Sequence, residues 1–143
     1  MITLDQALEI AFSKAMILGT ETVDLMQSTN RILAEDVLAD ADMPPFNKSA
    51  MDGYACRRED LEEELSVIEL IPAGHSPLHA ITLGQCSKIM TGAQVPKGAD
   101  TVFMVEFSQQ TAPGKVRFTG NKTNTNICFQ GEDLKKGDLV ISS

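Results

Sequence analysis

Pro44-Pro45-Phe46-Asn47-Lys48-Ser49-Ala50-Met51-Asp52-Gly53-Tyr54-Ala55 is the stretch on which the fold turns. Two consecutive prolines push residues 43–45 out of helical geometry and mark a boundary. Asp52, between Met51 and Gly53, sits on a turn leading into a strand, and the glycine permits tight backbone approach. Downstream, short apolar runs alternate with turn residues. Residues 67–71 precede Pro72-Ala73-Gly74, residues 86–90 precede Thr91-Gly92, residues 101–107 lead toward Pro113-Gly114, and residues 116–118 precede Gly120-Asn121. Such spacing predicts a small, mostly β domain. Residues 119–126 are polar and read as an exposed loop. Lys135-Lys136-Gly137-Asp138 reads as a turn into a last strand, Leu139-Val140-Ile141.

Upstream the period changes. Thr3-Leu4-Asp5-Gln6 has capping-box spacing, with Thr3 as N-cap and Gln6 able to reach back. Leu4, Ala7, Leu8, Ala11, Phe12 and Ala15 recur at helical spacing, and Gly19 stands where a left-handed residue ends a helix. A helix over residues 4–18 is expected. Residues 21–25 alternate as a short strand, Ser28 is placed to cap a brief helix holding Ile32 and Leu33, and Val37-Leu38 begins another extended piece. The fold class is therefore α+β, predominantly β. Residues 1–43 form a helix-bearing arm, the first part of a discontinuous domain. Residues 44–133 form the small irregular β domain, and residues 134–143 carry a strand that returns to the arm. The last strand runs into the end of the chain with no closing element.

Of the 143 residues, 43% are hydrophobic, enough for an ordinary core. With one Tyr, six Phe and no Trp, that core must rest on aliphatic side chains and the seven Met. The net charge is −8, and no Lys/Arg cluster offers the basic face a nucleic-acid binder needs. The same field opposes an anionic ligand, so any such ligand must be held by local donors. Apolar stretches are too short to span a bilayer, and the N-terminus lacks a signal-peptide layout, which implies a cytoplasmic protein without membrane contact. Cys56, Cys86 and Cys128 stand far apart and read as reduced, buried thiols.

Three segments can carry chemistry. A carboxylate fixed like Asp52 can ligate Mg²⁺ or orient a water near a phosphate, although local physics alone favours an Asx-turn. Thr91-Gly92-Ala93, at the end of a strand, offers a hydroxyl and unshielded backbone N–H groups, the parts of an anion nest, but also of a common loop. Gln130-Gly131-Glu132-Asp133 places adjacent carboxylates on a glycine turn, where a solvated hairpin is the commoner explanation. His75 and His79 have the spacing of a helical metal pair, but Gly74, Ser76 and Pro77 make a helix there unfavourable and predict an exposed loop.

Residues 45–55 resemble the signature stretch of the MoeA family, the molybdopterin molybdenumtransferases. Met90-Thr91-Gly92-Ala93 with Pro96, Gly98, Ala99, Asp100 and Val105-Glu106 is similar to that family's second block. Asn126-Ile127, Gly131-Glu132-Asp133 and Gly137-Asp138 resemble the third, and residues 31–37 match the arm before the signature. The order is the family's across nearly the whole chain. The resemblance implies an enzyme that inserts molybdate into adenylated molybdopterin, releasing AMP and using Mg²⁺ or another divalent cation. It further implies a homodimer whose β domain faces the large α/β domain of the other subunit across a shared cleft. That α/β domain does not occur before Ser143, so the chain reads as an N-terminal portion, inactive alone. By the same resemblance Asp52 and Asp133 are catalytic, Asp52 is the metal ligand, and Lys48, Ser49, Thr91 and Gly92 bind substrate. Thr91 is assigned a hydrogen bond to the anionic ligand. Many relatives have basic residues before the Gly-Glu-Asp turn, whereas this chain has Cys128-Phe129-Gln130. Lys48, Lys88 or Arg57 must then supply the positive contact. The alternative reading is a non-catalytic dimerisation or partner-binding module that keeps the fold.

Overall fold

The computed structural model describes residues 2–16 and 18–143. In chain order its elements are helix α1 (Leu4–Lys14) and strands β1 (Val37–Leu38), β2 (Lys48–Ser49), β3 (Gly53–Cys56), β4 (Glu64–Ile71) and β5 (Gln85–Ile89). There follow β6 (Thr101–Met104), β7 (Ser108–Ala112), β8 (Lys115–Phe118), β9 (Ile127–Cys128) and β10 (Leu139–Ile141), with single 3₁₀ turns at Leu25–Gln27, Arg58–Asp60 and Val105–Phe107. One helix among many strands makes this an α+β fold dominated by β structure, as the spacing of apolar runs predicts. The chain divides into two compact units, Met1–Val37 with Ile141–Ser143, and Leu38–Val140.

In the first unit the capping box forms in full: Gln6 N–H donates to Thr3 Oγ1, and Thr3 N–H donates to Gln6 Oε1. The helix nevertheless stops at Lys14, short of residue 18, because Ala15 turns extended at ψ 130°. Gly19 does not take the left-handed conformation expected of it, and Ile17 lies outside the described residues. The physical reason is burial. No residue of α1 is buried, and Leu4 and Phe12 are 75% and 76% exposed, so no packing extends a helix of marginal length. Two further expectations fail here. Residues 21–24 pair with no strand and Leu25–Gln27 is a 3₁₀ turn. Ser28 caps no helix: its hydroxyl donates back to Leu25 O at 2.6 Å, and Asn30 takes φ 65°. A polar hydroxyl bonding its own chain competes with helix initiation in this way.

The second unit is organised by a six-stranded sheet in the order β6-β3-β5-β4-β8-β7. All neighbours are antiparallel except β4 and β5, whose parallel pairing requires a long crossover, supplied by residues 72–84. His75 and His79 lie on this exposed, non-helical crossover, as expected. Gly98 sits at φ +88° with an added Cβ 2.2 Å from Ile81 O, so only glycine lets the 96–99 turn close against the crossover.

Both faces of the sheet are packed. Ala55, Ile71, Ile89, Ala93 and Val102 fill one, and Cys56, Leu65, Cys86, Phe103 and Val116 fill the other. A bulge between Val67 and Glu69 makes this possible. It lets Leu65 and Val67 serve the second face while Ile71, which strict alternation would place with them, serves the first. Phe103 stacks on Tyr54 at 5.2 Å and tilts against Phe118 at 5.4 Å, contacts each worth about 1 kcal/mol beyond area burial. Cys56 and Cys86 are cross-strand partners, free and buried, with thiols pushed up to about 12 chiefly by burial; Cys128 is half-buried.

Gly53 has no room for a side chain, since an added Cβ would lie 2.0 Å from Phe103 O and 2.9 Å from Phe103 C. Gly53→Ala is expected to destabilise the chain by about 3 kcal/mol or more in urea unfolding. Gly19→Ala, with open space and no left-handed φ, is expected to be neutral or slightly stabilising. Equal stabilities for wild type and Gly53→Ala would contradict this account of the β3–β6 contact.

Candidate functional site

The antiparallel register of β3 and β5 builds the site. Gly53 pairs with Ile89, so the residues just before β3 meet those just after β5. Asp52 and Thr91 are thereby brought together across 39 positions of sequence. Asp52 Oδ1 accepts two hydrogen bonds from Thr91, from N at 2.7 Å and from Oγ1 at 2.6 Å. The Thr91 hydroxyl, then its backbone N–H, holds the Asp52 carboxyl below the ordinary carboxylate range. Both side chains are exposed. The local Asx-turn is replaced by a long-range bond, and the carboxylate's second oxygen makes no hydrogen bond among the described residues.

The loop behind Asp52 is laced to the same strand end. Gly92 N donates to Ser49 O at 2.8 Å and Ser49 N to Ala93 O at 2.9 Å, while Val95 N donates to Asn47 O at 2.9 Å. Ser49 is 1% exposed, and its hydroxyl donates to Met51 O at 2.6 Å, so it shapes the turn from within. Lys48 is half-buried on β2, opposite Cys128 of β9. Lys48, Ser49, Asp52, Thr91 and Gly92 thus form one neighbourhood.

Asp133 is not bonded to that neighbourhood. Its backbone N donates to Met43 O at 2.9 Å, and its exposed side chain makes no hydrogen bond among the described residues. The Gly-Glu-Asp turn is nevertheless tied to the signature stretch. Gln130 N donates to Asn47 Oδ1 at 2.9 Å, Gly131 N to Pro44 O at 3.0 Å, and Glu132 caps its own turn by accepting Phe129 N at 2.7 Å. Asp42 accepts Lys136 N at 2.9 Å and Gln130 Nε2 at 2.8 Å; the Lys136 bond is the main cause of its lowered carboxyl pKa. Sequence reading missed Asp42 and Asn47. The signal was an Asp and an Asn flanking the double proline, residue types that bind backbone N–H groups in turns.

Of the three cations expected to supply a positive contact, Lys48, Lys88 and Arg57, the last is ion-paired with Glu59. Lys48 and Lys88 have no ion pair among the described residues. A divalent cation can be tested against these donors. Among the described residues no three His, Cys, Asp or Glu side chains gather as a metal-binding group. Mg²⁺ commonly takes one or two carboxylates and completes its shell with water and substrate phosphates. Asp52 fits as one such ligand. No helix among the described residues is long and apolar enough to cross a membrane.

The fold and site together define a helix-bearing segment joined to a small β domain that presents one hydrogen-bond-anchored carboxylate at a strand mouth. Comparison with known proteins places it further: residues 2–143 match the MoeA N-terminal region (domain I and II), and the chain belongs to this family. It is 38% identical to the molybdopterin molybdenumtransferase of Staphylococcus epidermidis, over 98% of this chain and 35% of that protein. It is 39% identical to the molybdopterin molybdenumtransferase of Haemophilus influenzae, over 99% of this chain and 36% of that protein. A crystal structure of the molybdopterin biosynthesis MoeA protein of Pyrococcus horikoshii superposes with a TM-score of 0.84 at 32% identity, over 99% of this chain and 38% of that one. The chain therefore spans about a third of the length of these relatives.

Thr91→Val removes the hydroxyl donor and keeps the backbone one. The Asp52 carboxyl pKa is expected to rise toward the ordinary value of about 3.9 without reaching it, read by NMR titration of the side-chain carbon. Because the folded-state value is depressed, the stability that Asp52 lends is present above the unfolded pKa and lost as pH falls through the folded one. An unchanged Asp52 titration in Thr91→Val would refute the anchoring role.

Proposed function

We propose that this chain is the N-terminal portion of a molybdenum insertase, which transfers molybdate to adenylated molybdopterin, and that it contributes half of an active cleft. The observation that carries the reading is the Asp52–Thr91 pair, a carboxylate fixed ionised and exposed where the family's signature meets its second block. In this reading Thr91 is a positioning residue. Its hydroxyl spends its single proton on Asp52 Oδ1, so it orients the carboxylate in place of bonding the anion directly. The second oxygen of Asp52 would hold a Mg²⁺ ion beside the substrate's phosphates. When bound, such an ion neutralises charge developing on phosphate and molybdate oxygens.

The backbone N–H groups of Thr91, Gly92 and Ala93 are already donated to Asp52, Ser49 O and Met90 O, so Gly92 serves the anion only by leaving the strand end uncovered by a side chain, and Lys48 supplies charge. Ser49 holds the Asp52 turn from behind, and Asp133 supports the cleft from the neighbouring turn. The division into an arm (residues 1–43 with 134–143) and a β domain (44–133) belongs to the same proposal, as do a cytoplasmic location, a homodimer with a shared cleft and inactivity of this chain alone. The uncovered stripe of Leu4, Leu8 and Phe12 supports a helix made to meet a partner. It also favours the second reading, a dimerisation module without chemistry.

The two readings part on one variant. In cells that depend on this gene for molybdenum cofactor, Asp52→Ala is expected to abolish cofactor production while leaving the protein's circular dichroism unchanged. Normal cofactor levels in that variant would sink the catalytic assignment and leave the module reading standing.

A further inference from the structure

A shallow depression of about 200 Å³ lies on the sheet beside the site, lined by Tyr54, Val67, Lys88, Gln110, Lys115 and Val116. It begins two residues along the chain from Asp52 and three before Thr91. Tyr54 and Lys88 are direct cross-strand partners on β3 and β5. Val67 and Val116 belong to or pack on the buried cluster of Phe103, and the Tyr54 ring stacks on Phe103 itself. The floor therefore rests on the Phe103 cluster.

The rim is charged unevenly. Lys115 Nζ is neutralised by Glu64 at 2.6 Å. Lys88 is half-buried, and among the described residues it has no ion pair and its side chain makes no hydrogen bond. The Tyr54 hydroxyl likewise has no partner among the described residues. On the neighbouring strand Glu64 is taken by Lys115, and Glu69, beyond the bulge, is in register with Ser87 and accepts backbone N–H groups of Leu78 and His79. A half-desolvated ammonium above apolar side chains favours an anion beside it. Lysine is a compact point charge with three rotatable donors, suited to a tetrahedral oxyanion.

We propose that this depression binds a tetrahedral oxyanion, with the Lys88 ammonium as charge donor and the Tyr54 hydroxyl as second donor. The proposal rests on the reading of an anionic substrate above and deepens it. It adds Lys88 to Lys48 as a source of positive charge for that substrate. A phosphomonoester and a free oxyanion share this chemistry, and the test separates them.

Tyr54 is the chain's only tyrosine, and there is no tryptophan, so intrinsic fluorescence reports on this depression alone. Ribose 5-phosphate and, separately, sulfate are titrated at constant ionic strength, with neutral ribose as background. A saturable change in Tyr54 emission is expected. Lys88→Gln should weaken it roughly tenfold or more, and Lys88→Arg should keep it within about threefold. Should Lys88→Gln lose its circular dichroism, Lys88→Met serves in its place. Tighter saturation by ribose 5-phosphate assigns the monoester, and equal or tighter saturation by sulfate assigns the free oxyanion. No saturable change with either probe, or an affinity indifferent to removal of the Lys88 charge, overturns the proposal. The outcome is independent of the Asp52→Ala test. Lys88-dependent binding with normal cofactor in Asp52→Ala would retain the subsite and discard the enzyme reading. Loss of cofactor in Asp52→Ala with no oxyanion binding would do the reverse.

Discussion

The contact that the rest of the second unit depends on is the one between the start of β3 and the backbone of β6. Gly53 lies so close to Phe103 O that no side chain fits. That closeness lets β3 hydrogen-bond to β5 on one side and β6 on the other, which sets the register Gly53–Ile89 and Gly53–Met104. Once this register holds, Tyr54 must face Phe103 across the strands, and Asp52 must emerge where β5 ends. The aromatic row and the anchored carboxylate are two consequences of one steric requirement.

Electrostatics follow from the same frame. A chain with net charge −8 is an unpromising host for an anion, and an exposed carboxylate adds to that field. Anchoring by two Thr91 donors lowers the Asp52 carboxyl pKa further, and an ionised carboxylate suits binding a cation and not an anion. An anionic substrate is then compatible with the site only through an intervening divalent ion or through a local cation. The fold leaves Lys48 and Lys88 free for the second role, while Arg57 is spent on Glu59.

The third block is held by a different kind of force. Its turn is fixed to the double-proline stretch by side-chain acceptors, Asn47 for Gln130 N and Asp42 for Lys136 N. These bonds replace the strand ladder that β2 and β9 are too short to provide. Gln130 is employed here as a donor to Asp42.

How much was legible in the chain itself can be judged residue by residue. Local chemistry determined what local chemistry can: the Thr3–Gln6 capping box, the end of helical geometry at Pro44-Pro45, and the strands whose apolar runs are bounded by Gly and Pro. The motif blocks determined the family. The helix end was illegible because it hinges on apolar residues finding nothing to pack against, a fact no window of sequence contains, and at Ser28 the hydroxyl chose its own chain's Leu25 O over capping a helix. The bulge at Ile68, which divides Leu65 and Val67 from Ile71, and the meeting of Asp52 with Thr91 were decided only by tertiary structure. Both depend on register between strands distant in sequence. A one-residue shift in pairing would have sent each side chain to the other face.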